Sequence, residues 1–447
     1  MFKIFANAWR VEDIRRKLLF VFLLLLIFRF GSAIPLPGID LEILDLARGG
    51  GEGFDRDVAN TIFNLIIGGG IGSVFAMGIA PYITASIIMQ LLSYAIPYFS
   101  ELKKEGEDGN KKIQQITRYL AVALAALQAA ATVFSYRNFN QSGLSLFRTD
   151  LTTGAFQSFF IYAIATLAMM SGTIFIMWLA ELITEKGIGQ GASFLIFANI
   201  LAALPAGAMT LWVMITGESP LTGIGQVVLL LVVFAAMIAF VVLVHEGERR
   251  IPVQYAKRAA GSGRGSSMHG NHNSFIPIKV NLAGVLSIIF AMSLLQFPMQ
   301  ISQFFPGITQ DGIFATILRY LDWNHWVGMI IYVLLIFMFT HFYTSFAVNP
   351  REMAENMKKN GGFIPGIRPG QPTSEFIQTT VNRLSWIGAV FYSLIAIMPI
   401  LLERFVPALT GIGFGGTSLL IVTGVALEFV KQLESQLLMR HYKGFLD

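Results

Sequence analysis

Residues 61–96 read TIFNLIIGGGIGSVFAMGIAPYITASIIMQLLSYAI. A short apolar run, Ile62 to Ile67, is too short to cross a bilayer. It is followed by Gly68-Gly69-Gly70-Ile71-Gly72, and then by a longer apolar stretch, Val74 to Ile96, close to the ~20 residues that a span requires. A half-length segment at membrane depth needs partners for its freed backbone groups, so it survives only inside protein or beside a water-filled cavity. Residues 61–73 are therefore expected to enter a cavity without crossing it. The glycines would supply the joint, because glycine tolerates backbone angles closed to other residues. The competing reading of the glycine run is a close helix crossing. A phosphate-binding loop does not fit, since the spacing is wrong and no strand precedes it.

The bulk composition agrees with a membrane setting. The 447 residues are 54% hydrophobic and 13% charged, with a mean hydropathy of +0.63, against about 25% charged for soluble domains. No cleavable leader is evident, because more spans follow the first apolar run. Cysteine is absent, which excludes disulfides and thiolate metal sites.

Ten spans are expected, roughly over 18–35, 74–96, 115–135, 155–180, 189–210, 223–244, 280–300, 325–348, 380–402 and 411–433. Residues 1–17 mix Lys3, Arg10, Arg15, Arg16 and Lys17 with Phe2, Ile4, Phe5, Trp9 and Ile14, the pattern of an amphipathic helix lying on a membrane surface. Of the 32 Lys and Arg, 25 fall on the side of the N-terminus and only six on the other. This places both termini in the cytoplasm. Arg29 alone falls inside a span, near enough to its outer end to snorkel. Pro81 and Pro205 fall inside spans and are expected to kink them. The expected divisions are a cytoplasmic N-terminus (1–17), an N-terminal half (18–215), a C-terminal half (216–435) and a cytoplasmic tail (436–447). Two five-span halves starting on opposite sides of the membrane have the topology of inverted repeats.

Several stretches carry a family resemblance: GIAPYITASIIMQLL, TEKGIGQGASFLIFANI, GERRIPVQYAKR, KVNLAGVLSIIFAMSLLQFP, NPREMAENMKKNGGFIPGIRPG and FGGTSLLIVTGVALEFVKQLESQL. In this order they resemble the SecY family, the channel subunits of the Sec protein translocon. The resemblance implies an all-α polytopic fold, with two pseudo-symmetric inverted five-helix halves around an hourglass pore. The halves would be hinged outside between spans 5 and 6, with a lateral gate between spans 2 and 7. It implies a plug half-helix over about 61–73, carrying Ile62, Phe63, Leu65 and Ile66 ahead of Gly68, Gly69, Gly70 and Gly72. It also implies a pore ring at Ile83, Ile87, Ile196, Ile289 and Ile421. Such a ring makes physical sense: a conduit for polypeptides of any sequence needs an apolar gasket rather than a charged filter, and β-branched isoleucine is stiff at χ1.

The long polar loops, about 245–279 and 349–377, exceed what a simple connection needs and read as docking surfaces. The resemblance names what docks: the SecA motor and the ribosome, whose RNA phosphates would meet Arg250, Lys257, Arg258 and Arg368. It further implies SecE and SecG subunits, an unfolded preprotein with its signal sequence, membrane lipid around the chain, and residence in the bacterial inner membrane. No cofactor is implied. The role of the Gly/Ser/His-rich insert 261–274 stays open, and its His269 and His272 lack a third metal ligand nearby. A secondary transporter of small solutes is the alternative, but it calls for mid-membrane acidic or histidine groups. Here the acidic groups sit mostly in loops or near span ends, as Glu181 and Glu428 do. An enzyme is not expected, because no nucleophile and base are brought together.

Overall fold

The computed structural model of the chain describes residues 7–40, 72–138, 140–141, 144–145, 147–148, 154–216, 220–255, 274–280, 285–302, 313–322, 325–405 and 416–443. The helices are α1 (Glu12–Ser32), α2 (Ala80–Ala95), α3 (Pro97–Lys104), α4 (Glu107–Asn138), α5 (Ala155–Lys186), α6 (Gly191–Thr216) and α7 (Pro220–Glu246). They continue with α8 (Leu286–Ser302), α9 (Ile313–Leu321), α10 (Trp326–Ala347), α11 (Pro350–Lys359), α12 (Gln371–Phe405) and α13 (Gly416–Lys443). Each expected span has a helix over it among the described residues. Among the described residues, five stretches are long and apolar enough to cross a bilayer: Glu107–Arg137, Phe156–Lys186, Val227–Glu246, Trp326–Lys359 and Gln371–Met398. α2 with α3 makes a sixth, bent by 97°. The bend falls at Ile96, which is extended (φ −108, ψ 120) as residues before proline are.

Packing divides the helices into two groups. In the first, α2 packs on α4, α4 on α5, and α5 on α1 and α6. In the second, α8 packs on α10, α10 on α12, and α13 on α7 and α12. The groups meet where α2 and α4 touch α8, and where α6 touches α7 and α13. Each group has its own apolar core. One joins Val21, Leu24 and Phe28 of α1 to Ile176, Leu179 and Ile183 of α5 and Leu195 of α6. The other joins Ile288 and Leu295 of α8 to Tyr332, Ile336 and Phe339 of α10 and Ile395 of α12. Ile83, half-buried, packs against both.

The span expected from Val74 begins later, at Ala80. Residues 72–79 form turns, and Gly72 (φ +74) and Gly78 (φ +55) adopt left-handed backbone that a helix cannot contain. The segment is apolar because it is buried, which is why it read as helix. The Leu36 N–H donates to the Gly72 carbonyl at 2.6 Å, and the Val74 N–H donates to that of Ile34 at 3.1 Å. The Phe75 ring stacks between Phe28 and Phe175, at 6.1 and 5.9 Å. Gly31 of α1 and Gly172 of α5 leave room for it, since a Cβ on either would collide with this segment. Pro81 does not kink a span. It opens α2 in the first turn, where its missing N–H costs nothing. Pro205 does lie inside a helix, α6.

The N-terminal segment also departs from expectation. From Glu12 onward its residues, Arg15, Arg16 and Lys17 included, belong to α1 itself. Ala8 and Ile14 are buried against Ile188 and Leu433, whereas Trp9 is exposed, and Phe2, Ile4 and Phe5 lie outside the described residues. Arg29 is exposed in the last turn of α1.

After α4, β1 (Asn140–Gln141) pairs antiparallel with β2 (Leu144–Ser145). The described parts of the two polar loops, read as docking surfaces, join in one body. β3 (Glu248–Tyr255) pairs antiparallel with β4 (Ser274–Lys279), and its far end pairs with β5 (Gly362–Phe363), giving the order β4-β3-β5. Alternation along β3 turns Ile251 and Val253 inward. They pack with Ile278 on Met357 of α11, Ile364, and Ile377, Val381 and Leu384 of α12. α11 starts sharply because Asn349 caps it, its side chain accepting from the Glu352 N–H, and Pro350 follows.

Candidate functional site

Two adjoining cavities open between the helix groups, at the end of the molecule that carries the sheet. The first, of ≈470 Å³, is bounded by α2, α4, α5, α6, α8 and α10. The second, of ≈580 Å³, lies between α6, α8, α10 and α13. Gln190, Ser193, Leu286, Ile289 and Tyr343 line both, so they form one vestibule.

Helical periodicity explains how each wall is built. On α2, Ile83, Ser86 and Gln90 share a face and line the first cavity. On α13, Ile421, Gly424, Val425, Glu428, Lys431, Gln432 and Ser435 line the second, following the 3.6-residue period for almost four turns. That face changes character along its length, apolar at Ile421 and polar from Glu428 onward. Gly424 lets α13 approach the start of α8, since a Cβ there would stand 2.5 Å from Val285 Cγ2.

The mouth is charged but largely self-compensated. Arg118 Nε donates to Glu181 Oε1 at 2.7 Å, joining α4 to α5, and Lys431 Nζ lies 2.9 Å from Glu246 Oε1, joining α13 to α7. The deeper lining is isoleucine. Ile83, Ile196 and Ile289 line the first cavity, and Ile289 and Ile421 the second. Two of these four come from each helix group. Ile87, the fifth expected member, lines neither cavity. It is buried with Ile288, Phe290 and Leu295 in the seam between α2 and α8.

The other expected positions are distributed as follows. Of the plug and hinge, Ile62, Phe63, Leu65, Ile66, Gly68, Gly69 and Gly70 lie outside the described residues, while Gly72 is held as given above. Arg250 lies on β3, where it donates to Glu248 Oε1 at 2.7 Å and stacks 4.8 Å over the Phe275 ring. Arg368 is exposed between Gly366 (φ +82) and Gly370 (φ +108), and its carbonyl accepts from Thr373 Oγ1 at 2.9 Å. Lys257 and Arg258 lie outside the described residues, as do His269 and His272. Among the described residues no group of three or more His, Asp or Glu is placed to hold a metal ion.

The polar rim was missed from sequence. Gln90, Gln114, Arg118, Glu185 and Gln190 line the first cavity, yet none stands out in the chain. The available signal was the periodic face of α13, with polar residues recurring at 428, 431, 432 and 435.

Known proteins match this chain along almost its whole length. The chain is 41% identical over 452 residues to the protein translocase subunit SecY of Halalkalibacterium halodurans, covering 100% of both. It is 42% identical over 455 residues to that of Streptomyces coelicolor, and 42% over 459 residues to that of Mycobacterium tuberculosis H37Rv, again with full coverage of both chains. A solved protein-conducting channel superposes with a TM-score of 0.63 at 18% identity, over 93% of this chain and 90% of that one. Sec61 in the canine ribosome–channel complex superposes with a TM-score of 0.59 at 17% identity, over 93% and 90%. The SecY family profile itself matches residues 73–430, from the anchored turn before α2 to the middle of α13, and the chain belongs to the SecY family.

Proposed function

We infer that the protein is a polypeptide-conducting membrane channel, passing unfolded secretory chains across the bilayer and releasing apolar segments sideways into lipid. The observation that carries this reading is the vestibule lined in depth by Ile83, Ile196, Ile289 and Ile421, two from each helix group. A narrow apolar floor beneath a polar funnel sheds water when empty and yields when occupied, whatever the passing side chains are. Ile87, in the α2–α8 seam, would be exposed as the groups part. Residues 61–73 act as the plug, with Gly72 its anchored end. The sheet end faces the cytoplasm of a bacterial inner membrane, with both chain termini on that side. There the loops 245–279 and 349–377 meet the SecA motor or ribosomal RNA through Arg250, Lys257, Arg258 and Arg368. SecE and SecG complete the complex.

The test is transport into vesicles. The chain, reconstituted with companion subunits and motor, should carry an unfolded secretory polypeptide into a protease-protected lumen. Gradient-driven uptake of a small solute without polypeptide movement would sink the reading.

A further inference from the structure

A second groove, of ≈610 Å³, lies along α12 where β3 meets it, and shares no lining residue with the vestibule. Its cations are Arg249 of β3 and Arg383 of α12, both exposed. Between them lie Glu375, Thr379 and Thr380. Both threonine hydroxyls donate to carbonyls one turn back, of Glu375 and Phe376, so toward the groove they offer acceptors. The Glu375 carboxylate already accepts from Gln371 Nε2 at 3.1 Å.

The surface below this groove is apolar and exposed. Trp386, Ile387, Val390 and Leu394 follow Arg383 at three, four, seven and eleven residues, on one helix face. Eleven residues rise ~17 Å, about half of the ~30 Å hydrocarbon core. A cationic head with hydroxyl acceptors, above a greasy track one leaflet long, matches one kind of molecule. We propose that this face of α12 seats an anionic glycerophospholipid, its phosphate on Arg249 and Arg383, its headgroup hydroxyls on Thr379 and Thr380, and one acyl chain along Trp386–Leu394. Basic pockets at the inner membrane face bind acidic headgroups for the same electrostatic reason. The lipid would tie β3 of the sheet to the bilayer. The inference rests on the chain spanning a membrane, not on its conducting polypeptide.

The test is photocrosslinking in nanodiscs with a photoreactive phosphatidylglycerol, read by peptide mapping of the full chain in its complex. The expected label falls on 383–394. It drops roughly fivefold for each of Arg249→Ala and Arg383→Ala, while Arg383→Lys keeps most of it. Both arginines are exposed, so elution of the variants as monodisperse complexes checks the fold. Excess phosphatidylglycerol should compete, whereas phosphatidylcholine and inorganic phosphate should not. Undiminished label in the double alanine variant, competition by free phosphate, or a companion polypeptide on this face in place of lipid would overturn the proposal.

Discussion

The isoleucine floor and the core under the sheet both carry isoleucine and are packed in opposite ways. On the floor, Ile83, Ile196 and Ile289 are half-buried and face cavities. In the core under the sheet, Ile251 and Val253 of β3 are 3% and 1% exposed and Ile377 of α12 0%, packed among apolar neighbours. A filled core resists deformation because every displaced atom forfeits contacts. A surface with an empty side can give way cheaply. The channel reading needs that difference: the part that receives a push should be stiff, and the part that must open should not.

The largest effect is expected where the floor is removed. Replacing Ile83, Ile289 and Ile421 together by glycine should turn a silent resting membrane into one that passes ions, recorded as current across a planar bilayer. Unchanged background conductance would break the comparison at its functional end.

Next comes the stiff region. Ile377→Ala should cost about 2–5 kcal/mol, as expected for a fully buried isoleucine in a core. It should be read as lost amide-exchange protection in β3 and β4, with the α2–α8 seam unaffected. Equal loosening of both would show that the two regions are not mechanically distinct.

Gly424→Ala sharpens the boundary between them. The added methyl meets the stiff Val285 side chain at 2.5 Å, so an overpacking cost of about 1–3 kcal/mol is expected. Because α13 would be pushed from α8, the variant should melt earlier and leak more. A variant that melts earlier but stays tight would separate the floor from this helix contact.

The smallest stability effect belongs to Arg368→Glu. The side chain is exposed, so thermal stability should stay within about 0.5 kcal/mol while motor-driven export falls. Normal export would remove Arg368 from the docking surface.

The positions of the apolar helices, the apolar class and the family motifs were legible in the chain, because a lipid solvent forces long uninterrupted apolar runs that show in one dimension. The start of α2 was not. Val74 to Ile79 are as apolar as a span, and only their packing against α1 and α5 separates a buried turn from a helix. Nor was the union of the polar loops. Ile251, Val253, Ile364 and Ile377 are unremarkable singly and become a core only when β3, β5 and α12 converge. The same holds for the vestibule: Arg118 and Glu181 are 63 residues apart and meet at 2.7 Å because α4 packs on α5. Hydrophobicity and its period are local properties, so the sequence by itself determined where the apolar helices lie and to which family the chain belongs. Which faces of those segments meet is a matter of pairings between distant residues, so the tertiary structure alone decided where the floor, the rim and the sheet core lie.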